Sequence, residues 1–232
     1  MSPLRRDTHS PLGGAGLHNA SHLARFILCA ALLAGAAPTV CAFTVSIAPA
    51  APKTVYLQVG VGGFTGNYDA GGTPGNNTTV NKDSVSVAAA AVGNGTAQAM
   101  TTDSTVGASS YDGYAFCNVP AQLYIGGFYR TTSAGAGSVN VTATVPAALV
   151  DAAGDTLSFA RISWTTGGNG PTGSTATQPF PAGTFAAGTV QTVGAIGQNQ
   201  WAESCWTFSY SNTTLPAAGT YTGRVLYTLT AP

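Results

Sequence analysis

The sequence has 232 residues, of which 44% are hydrophobic and 7% are charged, with a formal net charge of zero. Disordered chains combine low hydrophobicity with high net charge, so this composition argues against disorder and for a packed core. The chain also lacks the excess of Lys and Arg that would neutralise phosphates, which excludes nucleic acid as a partner.

The first 42 residues are predicted to be a secretory signal peptide. Arginines precede an apolar run at 26–37, and the small-residue site Val40-Cys41-Ala42 follows it. These are the three parts of such a signal. The run is shorter than the about 20 residues that a transmembrane helix needs, and no second run of that length follows. We therefore expect cleavage after Ala42, a secreted protein, and no membrane span in the mature chain.

Residues 43–53 are expected to form an extended lead-in, and residues 54–232 a single β domain. Several short runs alternate apolar and polar residues with period 2, as half-buried strands do. These runs are 55–61, 80–87, 139–145, 157–164, 206–210 and 221–230. Asn94-Gly95 predicts a type I′ hairpin turn. Many short strands separated by turn residues indicate an all-β fold, an immunoglobulin-like antiparallel β-sandwich.

The positions of the histidines limit the chemistry that the mature chain can perform. His9, His18 and His22 all lie in the predicted signal peptide, and no other histidine occurs. This excludes Ser-His-Asp and Cys-His catalysis, as well as metals held by histidine. We expect a protein that is not an enzyme and that has no cofactor.

The remaining acidic residues are candidates for catalytic or calcium-binding groups. Asp151 and Asp155 are the closest pair, but Asp and Gly in this spacing favour a β-turn over a glycosidase pair or a calcium loop. Glu203 lies between Trp201 and Cys205 and is expected on a solvated strand face.

Two cysteines remain after the predicted cleavage, Cys117 and Cys205. In an exported protein a single pair predicts a disulfide. Two cysteines without histidine cannot supply the four ligands of a zinc site, so no metal is expected.

The tryptophans support two interpretations. Trp164 and Trp206 are predicted to pack in the core, because aromatic residues are favoured in strands and beside disulfides. Trp201 is left open as a possible glycan contact, since flat rings stack on sugars. An extracellular glycan-binding domain is therefore the alternative function.

The C-terminal run at 218–230 resembles the closing strand of bacterial fimbrial subunits of the chaperone–usher type, including spore-coat-U-like ones. The resemblance implies an incomplete sandwich that a donor strand from a neighbouring subunit completes, and the alternating run 55–61 fits such a strand. It also implies other copies or related subunits as partners, with a periplasmic chaperone and an outer-membrane usher. The expected location is the periplasm in transit, and then the cell surface or a fimbrium.

The expected function is thus a structural or adhesive subunit of a cell-surface filament. Assembly is predicted to use apolar residues of the two end strands. These residues are Val55, Leu57, Val59, Val61, Tyr221, Val225, Tyr227 and Leu229.

Overall fold

A computed structural model describes residues 43–168 and 178–231 of the chain. The predicted signal peptide, residues 1–42, lies outside the described residues. None of the described residues forms an α-helix, and no helix among them is long and apolar enough to cross a membrane. The structure confirms the predicted all-β fold.

The described residues form sixteen strands and two short 3-10 helices. The strands are β1 (Phe43–Ser46), β2 (Thr54–Val59), β3 (Gly63–Thr65), β4 (Thr73–Gly75), β5 (Asp83–Ser84), β6 (Gln98–Ala99), β7 (Thr101–Thr102), β8 (Leu123–Arg130), β9 (Ser138–Thr144), β10 (Ala148–Val150), β11 (Thr156–Ser158), β12 (Ile162–Gly167), β13 (Gly183–Thr184), β14 (Val190–Gly197), β15 (Gln200–Tyr210) and β16 (Leu226–Leu229). The 3-10 helices span Ala89–Ala91 and Phe159–Arg161.

Two antiparallel sheets make up the sandwich. The large sheet has seven strands, with β13, β12, β15, β8 and β2 in order and with β1 and β6 also paired to β15. The small sheet has the order β14-β9-β16. The pairs β3-β4, β5-β7 and β10-β11 form three further two-stranded sheets.

The eleven-residue strand β15 organises the large sheet. Its first half lies between β8 and β1, where Trp201 is opposite Phe128 of β8 and Val45 of β1. Its second half pairs with β12, so that Trp206 is opposite Thr166. Residues Phe43–Ser46 of the predicted lead-in form β1 and belong to the large sheet.

The first core lies between the two sheets. Alternate residues of β15 point into it, among them Trp206 and Phe208, together with Ile125 of β8 and Val141 of β9. Trp164 stacks on Trp206 with a ring-centroid distance of 4.9 Å and an interplanar angle of 8°. This confirms the prediction that both tryptophans belong to the core.

A second core covers the opposite face of the large sheet. The other residues of β15, including Trp201 and Cys205, pack there with Tyr124 and Phe128 of β8 and with Phe116 from the segment before β8. Both faces of the central strands are therefore buried, and β8 has only its last residue partly exposed.

One predicted turn is wrong. Asn94-Gly95 does not close a type I′ hairpin. Such a turn needs a positive φ at both of these residues, and Asn94 does not have one. The next strand, β6, pairs with the end of β15 instead of with a sequence neighbour. A buried amide decides this geometry, since Asn212 accepts from the Gly93 N–H and donates to the Ala91 carbonyl.

The predicted disulfide is confirmed between Cys117 and Cys205, whose Cα atoms are 5.5 Å apart. It joins residues 104–117, which cover the second core and which we call the covering segment, to the middle of β15. The two cysteines are 88 residues apart in the sequence, so the bond restricts a large part of the unfolded chain.

We expect the Cys117→Ala/Cys205→Ala double variant to lose about 4–5 kcal/mol of unfolding free energy, because the unfolded chain regains the entropy of the open loop. Urea unfolding of the oxidised wild type and of the variant measures this difference. Equal midpoints for the two proteins would contradict the expected contribution of the bond.

Candidate functional site

The two segments predicted to mediate assembly are edge strands. β2 is the last strand of the large sheet and pairs with β8, whereas β16 is the last strand of the small sheet and pairs with β9. The two strands contact each other across the first core. Two open sheet edges therefore lie on the same side of the sandwich.

The apolar side chains of these strands point into the protein's own core. Val55, Leu57 and Val59 of β2 and Tyr227 and Leu229 of β16 are half-buried against the first core. β2 thus completes the sheet of its own chain in this structure. Its exchange with a neighbouring copy stays a prediction.

Three of the residues predicted for assembly lie outside these strands. β2 stops before Gly60, whose φ of +68° turns the chain, so Val61 is beyond the strand. The final strand is shorter than predicted, because Tyr221 and Val225 precede β16. The backbone of Thr222 forms hydrogen bonds with the end of β10 instead, which draws this part of the run away from the small sheet.

The two sides of the sandwich differ in how their edges are protected. On the far side, β13 is only two residues long, and β14 has a bulge between Thr192 and Gly194. Short edge strands and bulges discourage pairing with other chains. β2 (TVYLQV) and β16 (LYTL) have no bulge, no proline and no charged residue. The edges of these two strands are the unprotected ones.

The outer face of the small sheet adjoins the edge of β16 and has no charge either. Val190, Thr144 and Leu226 form one row across its three strands. Val190 is 65% exposed and Leu226 is 59% exposed. We call this surface the outer face. It consists of Thr142, Thr144, Val190, Thr192, Leu226 and Thr228.

Trp201 does not lie at the surface. Its side chain is 0% exposed, and its ring packs among aromatic neighbours. These neighbours are Tyr56, Phe64, Tyr68, Tyr111 and Phe128, with ring-centroid distances between 5.2 and 6.4 Å. The possible glycan contact at this residue therefore lacks the exposed ring face that stacking on a sugar needs.

Glu203 is buried, which corrects the expectation of a solvated strand face. It is 0% exposed, and its Oε2 atom accepts hydrogen bonds from the Tyr124 hydroxyl and from the Trp201 indole N–H, the latter at 3.0 Å. Its Oε1 atom has no hydrogen-bond partner among the described residues. Ser109 lies beside the carboxyl without a hydrogen bond to it in this geometry.

Burial raises the pKa of Glu203 to about 7, and the charge of Asp112 adds to this effect. The neighbouring polar groups of Ser109, Tyr124 and Trp201 oppose it. A signal in the sequence could have identified the burial. Glu203 alternates in phase with Trp201 and Cys205, and a strand face that includes a disulfide is an inner face.

The polar network continues from Glu203 to the edge strand β2. Burial and the Glu203 carboxyl raise the pKa of Tyr124, while neighbouring Ser110 lowers it. The Ser110 hydroxyl donates to Oε1 of Gln58 at 3.0 Å, and Gln58 is only 5% exposed. Tyr56 donates to the same oxygen at 3.1 Å.

Asp151 forms a turn, as expected. Oδ1 of Asp151 accepts from the backbone N–H groups of Ala153 and Asp155, at 2.9 and 2.8 Å. This bonding confirms the predicted β-turn. Within residues 43–168 and 178–231, no group of three or more His, Cys, Asp or Glu side chains could hold a metal ion.

Comparison of the chain with protein-family models, curated proteins and solved structures gives no match.

We expect Glu203 to make stability depend on pH. Below pH 4.5, the usual pKa of the group, the carboxyl is protonated in both the folded and the unfolded state, so its ionisation does not change the stability. As the pH rises from 4.5 through 7, the unfolded state ionises while the folded carboxyl keeps its proton, so stability falls by about 3 kcal/mol.

The Glu203→Gln variant keeps the shape of the side chain and removes its titration. Its stability advantage over the wild type is expected to be smallest at pH 4 and to grow up to pH 8. Urea unfolding of both proteins across this range measures the difference, which also cancels the contribution of Asp83, whose pKa burial raises to about 6. A difference that does not change with pH would contradict the burial of an ionisable group here.

Proposed function

We propose that this protein is a secreted, non-catalytic structural subunit whose copies join into a cell-surface filament. The observation that supports this most directly is the pair of unprotected edges on one side of the sandwich. Exposed strand edges pair with other chains unless charges, prolines, bulges or short length prevent it. Neither β2 nor β16 has a charge, a proline or a bulge, whereas the far side of the same molecule has a bulge and a two-residue edge strand.

The surface chemistry supports the same proposal. Net charge and dispersed charged side chains keep a monomer in solution. The predicted mature chain has five basic and seven acidic residues, and the outer face has none of either. Beside the edge of β16, Leu226 and Thr228 can lie against another copy at little cost, because no charge has to be desolvated there.

The predicted signal peptide supplies the route of export for this proposal. The resemblance of 218–230 to fimbrial subunits adds a periplasmic chaperone and an outer-membrane usher as proposed partners. Donor-strand exchange is one form that the assembly can take. In it, the β2 strand of one copy would occupy the place beside β8 in the next copy.

The edge of β16 is tested by placing positive charge on it. We expect the Leu226→Lys/Thr228→Lys variant to need at least about tenfold more protein to assemble, because charged side chains beside the paired edge would have to be desolvated at the joint. Both side chains are exposed, so the fold should keep its stability to within about 0.5 kcal/mol. Sedimentation velocity over a concentration series and negative-stain microscopy measure assembly.

The matched control is Val190→Lys/Thr192→Lys, because these residues occupy the same two rows on β14, whose edge has the bulge. The control should assemble like the wild type. The proposal would be overturned by a wild type that stays monomeric at every concentration, both alone and mixed with related subunits. Equal effects of the two double variants would remove the role of the β16 edge.

A further inference from the structure

The contact between Ser110 and Gln58 brings a nucleophile close to an electrophile inside the protein. The Ser110 oxygen is 3.0 Å from Oε1 of the Gln58 carboxamide. The carbonyl carbon is one bond of about 1.2 Å beyond that oxygen, so the hydroxyl oxygen is no more than about 4.2 Å from the carbon. Reacting atoms in productive complexes are about 3–3.5 Å apart, and only a small movement separates the two geometries.

The carboxamide is held in a fixed and polarised position. Oε1 accepts from the hydroxyls of Tyr56 and Ser110, and Nε2 donates to the Gly60 carbonyl at 2.9 Å. When Ser110 attacks, the Tyr56 hydroxyl remains on the oxygen that gains negative charge. Donors placed at a developing oxyanion lower the barrier of such a step.

A path for the proton leads away from Ser110. The Tyr124 hydroxyl neighbours Ser110 and donates its own proton to the Glu203 carboxyl. Tyr124 and Glu203 are both 0% exposed, so bulk water does not compete for the proton. A general base works best when its pKa is close to the ambient pH, and burial raises the pKa of Glu203 to about 7.

We propose that Ser110 and Gln58 form an intramolecular ester cross-link between the covering segment of the second core and the edge strand β2. The bond from the Ser110 oxygen to Cδ of Gln58 forms, and the bond from Cδ to Nε2 breaks. The serine proton leaves through Tyr124 to Glu203, and the leaving nitrogen takes up one proton in return, so that the number of protons balances. The products are an ester and ammonia, and the reaction needs no oxidant, cofactor or second protein.

The location gives the cross-link a mechanical role. The disulfide already joins the covering segment to β15 at Cys205. The ester would join the same segment to β2, so the edge strand would be covalently held across the large sheet. The bond would form within one chain, so it does not depend on pairing between the edges of two copies. It holds β2 in its own chain and is therefore an alternative to donor-strand exchange by β2.

Mass spectrometry of the intact oxidised protein tests the proposal. We expect a mass about 17 Da below that of the chain with its disulfide, because ammonia is lost. Ser110→Ala should show no such loss, while Ser104→Ala, a buried serine in the same segment without a contact to Gln58, should keep it. Glu203→Gln should lack the loss as well, and its retention there would overturn the assigned proton path.

Peptide mapping locates the bond. Trypsin cleaves after Lys53, Lys82 and Arg130, so Gln58 and Ser110 fall on the separate peptides 54–82 and 83–130. After reduction of the disulfide, an ester keeps the two peptides joined, and mild alkali separates them and leaves a carboxylic acid at position 58. A full-length mass without the loss overturns the proposal, as does a loss confined to Asn94-Gly95 within peptide 83–130.

Discussion

The burial of β15 on both of its faces is the constraint on which the rest of the structure depends. Successive side chains of a strand point to opposite faces, so one eleven-residue strand supplies both cores. Trp206 and Phe208 fill the space between the sheets, while Trp201 and Cys205 lie under the covering segments. A slip of one residue would exchange these two sets of side chains. The pairings with β1, β8 and β12, together with the disulfide, hold the register.

The two-sided core also explains why β2 and β16 are left as open edges. The large sheet is buried on both faces at its centre, along β8 and β15. β2 contributes apolar residues to the first core and polar or aromatic ones to the second, so it is part of both cores while its outer edge stays unpaired among the described residues. Covering that edge with another chain satisfies backbone groups without disturbing either core.

A buried polar network has a cost that the second core has to offset. An isolated carboxyl in an apolar site is strongly unfavourable, and hydrogen bonds from Tyr124 and Trp201 reduce that cost for Glu203. Oε1 of Glu203 nevertheless has no hydrogen-bond partner within residues 43–168 and 178–231, so part of this cost remains. Its extension through Ser110 to Gln58 links the least exposed acid of the protein to an edge strand. The edge strand β2 is therefore connected to the buried carboxyl through hydrogen-bonding side chains.

The sequence by itself determined the class of fold, the disulfide and much of the strand pattern, because period-2 alternation and cysteine pairing are local or compositional signals. The alternation of Val55, Leu57 and Val59 placed β2 correctly. Only the tertiary structure decided which faces are buried and where strands end. Glu203 is buried because distant segments cover its face, and the Asn94-Gly95 turn follows the Asn212 amide, 118 residues away, instead of its own preference. Alternation defines two faces of a strand, but burial is set by non-local packing that no short run contains.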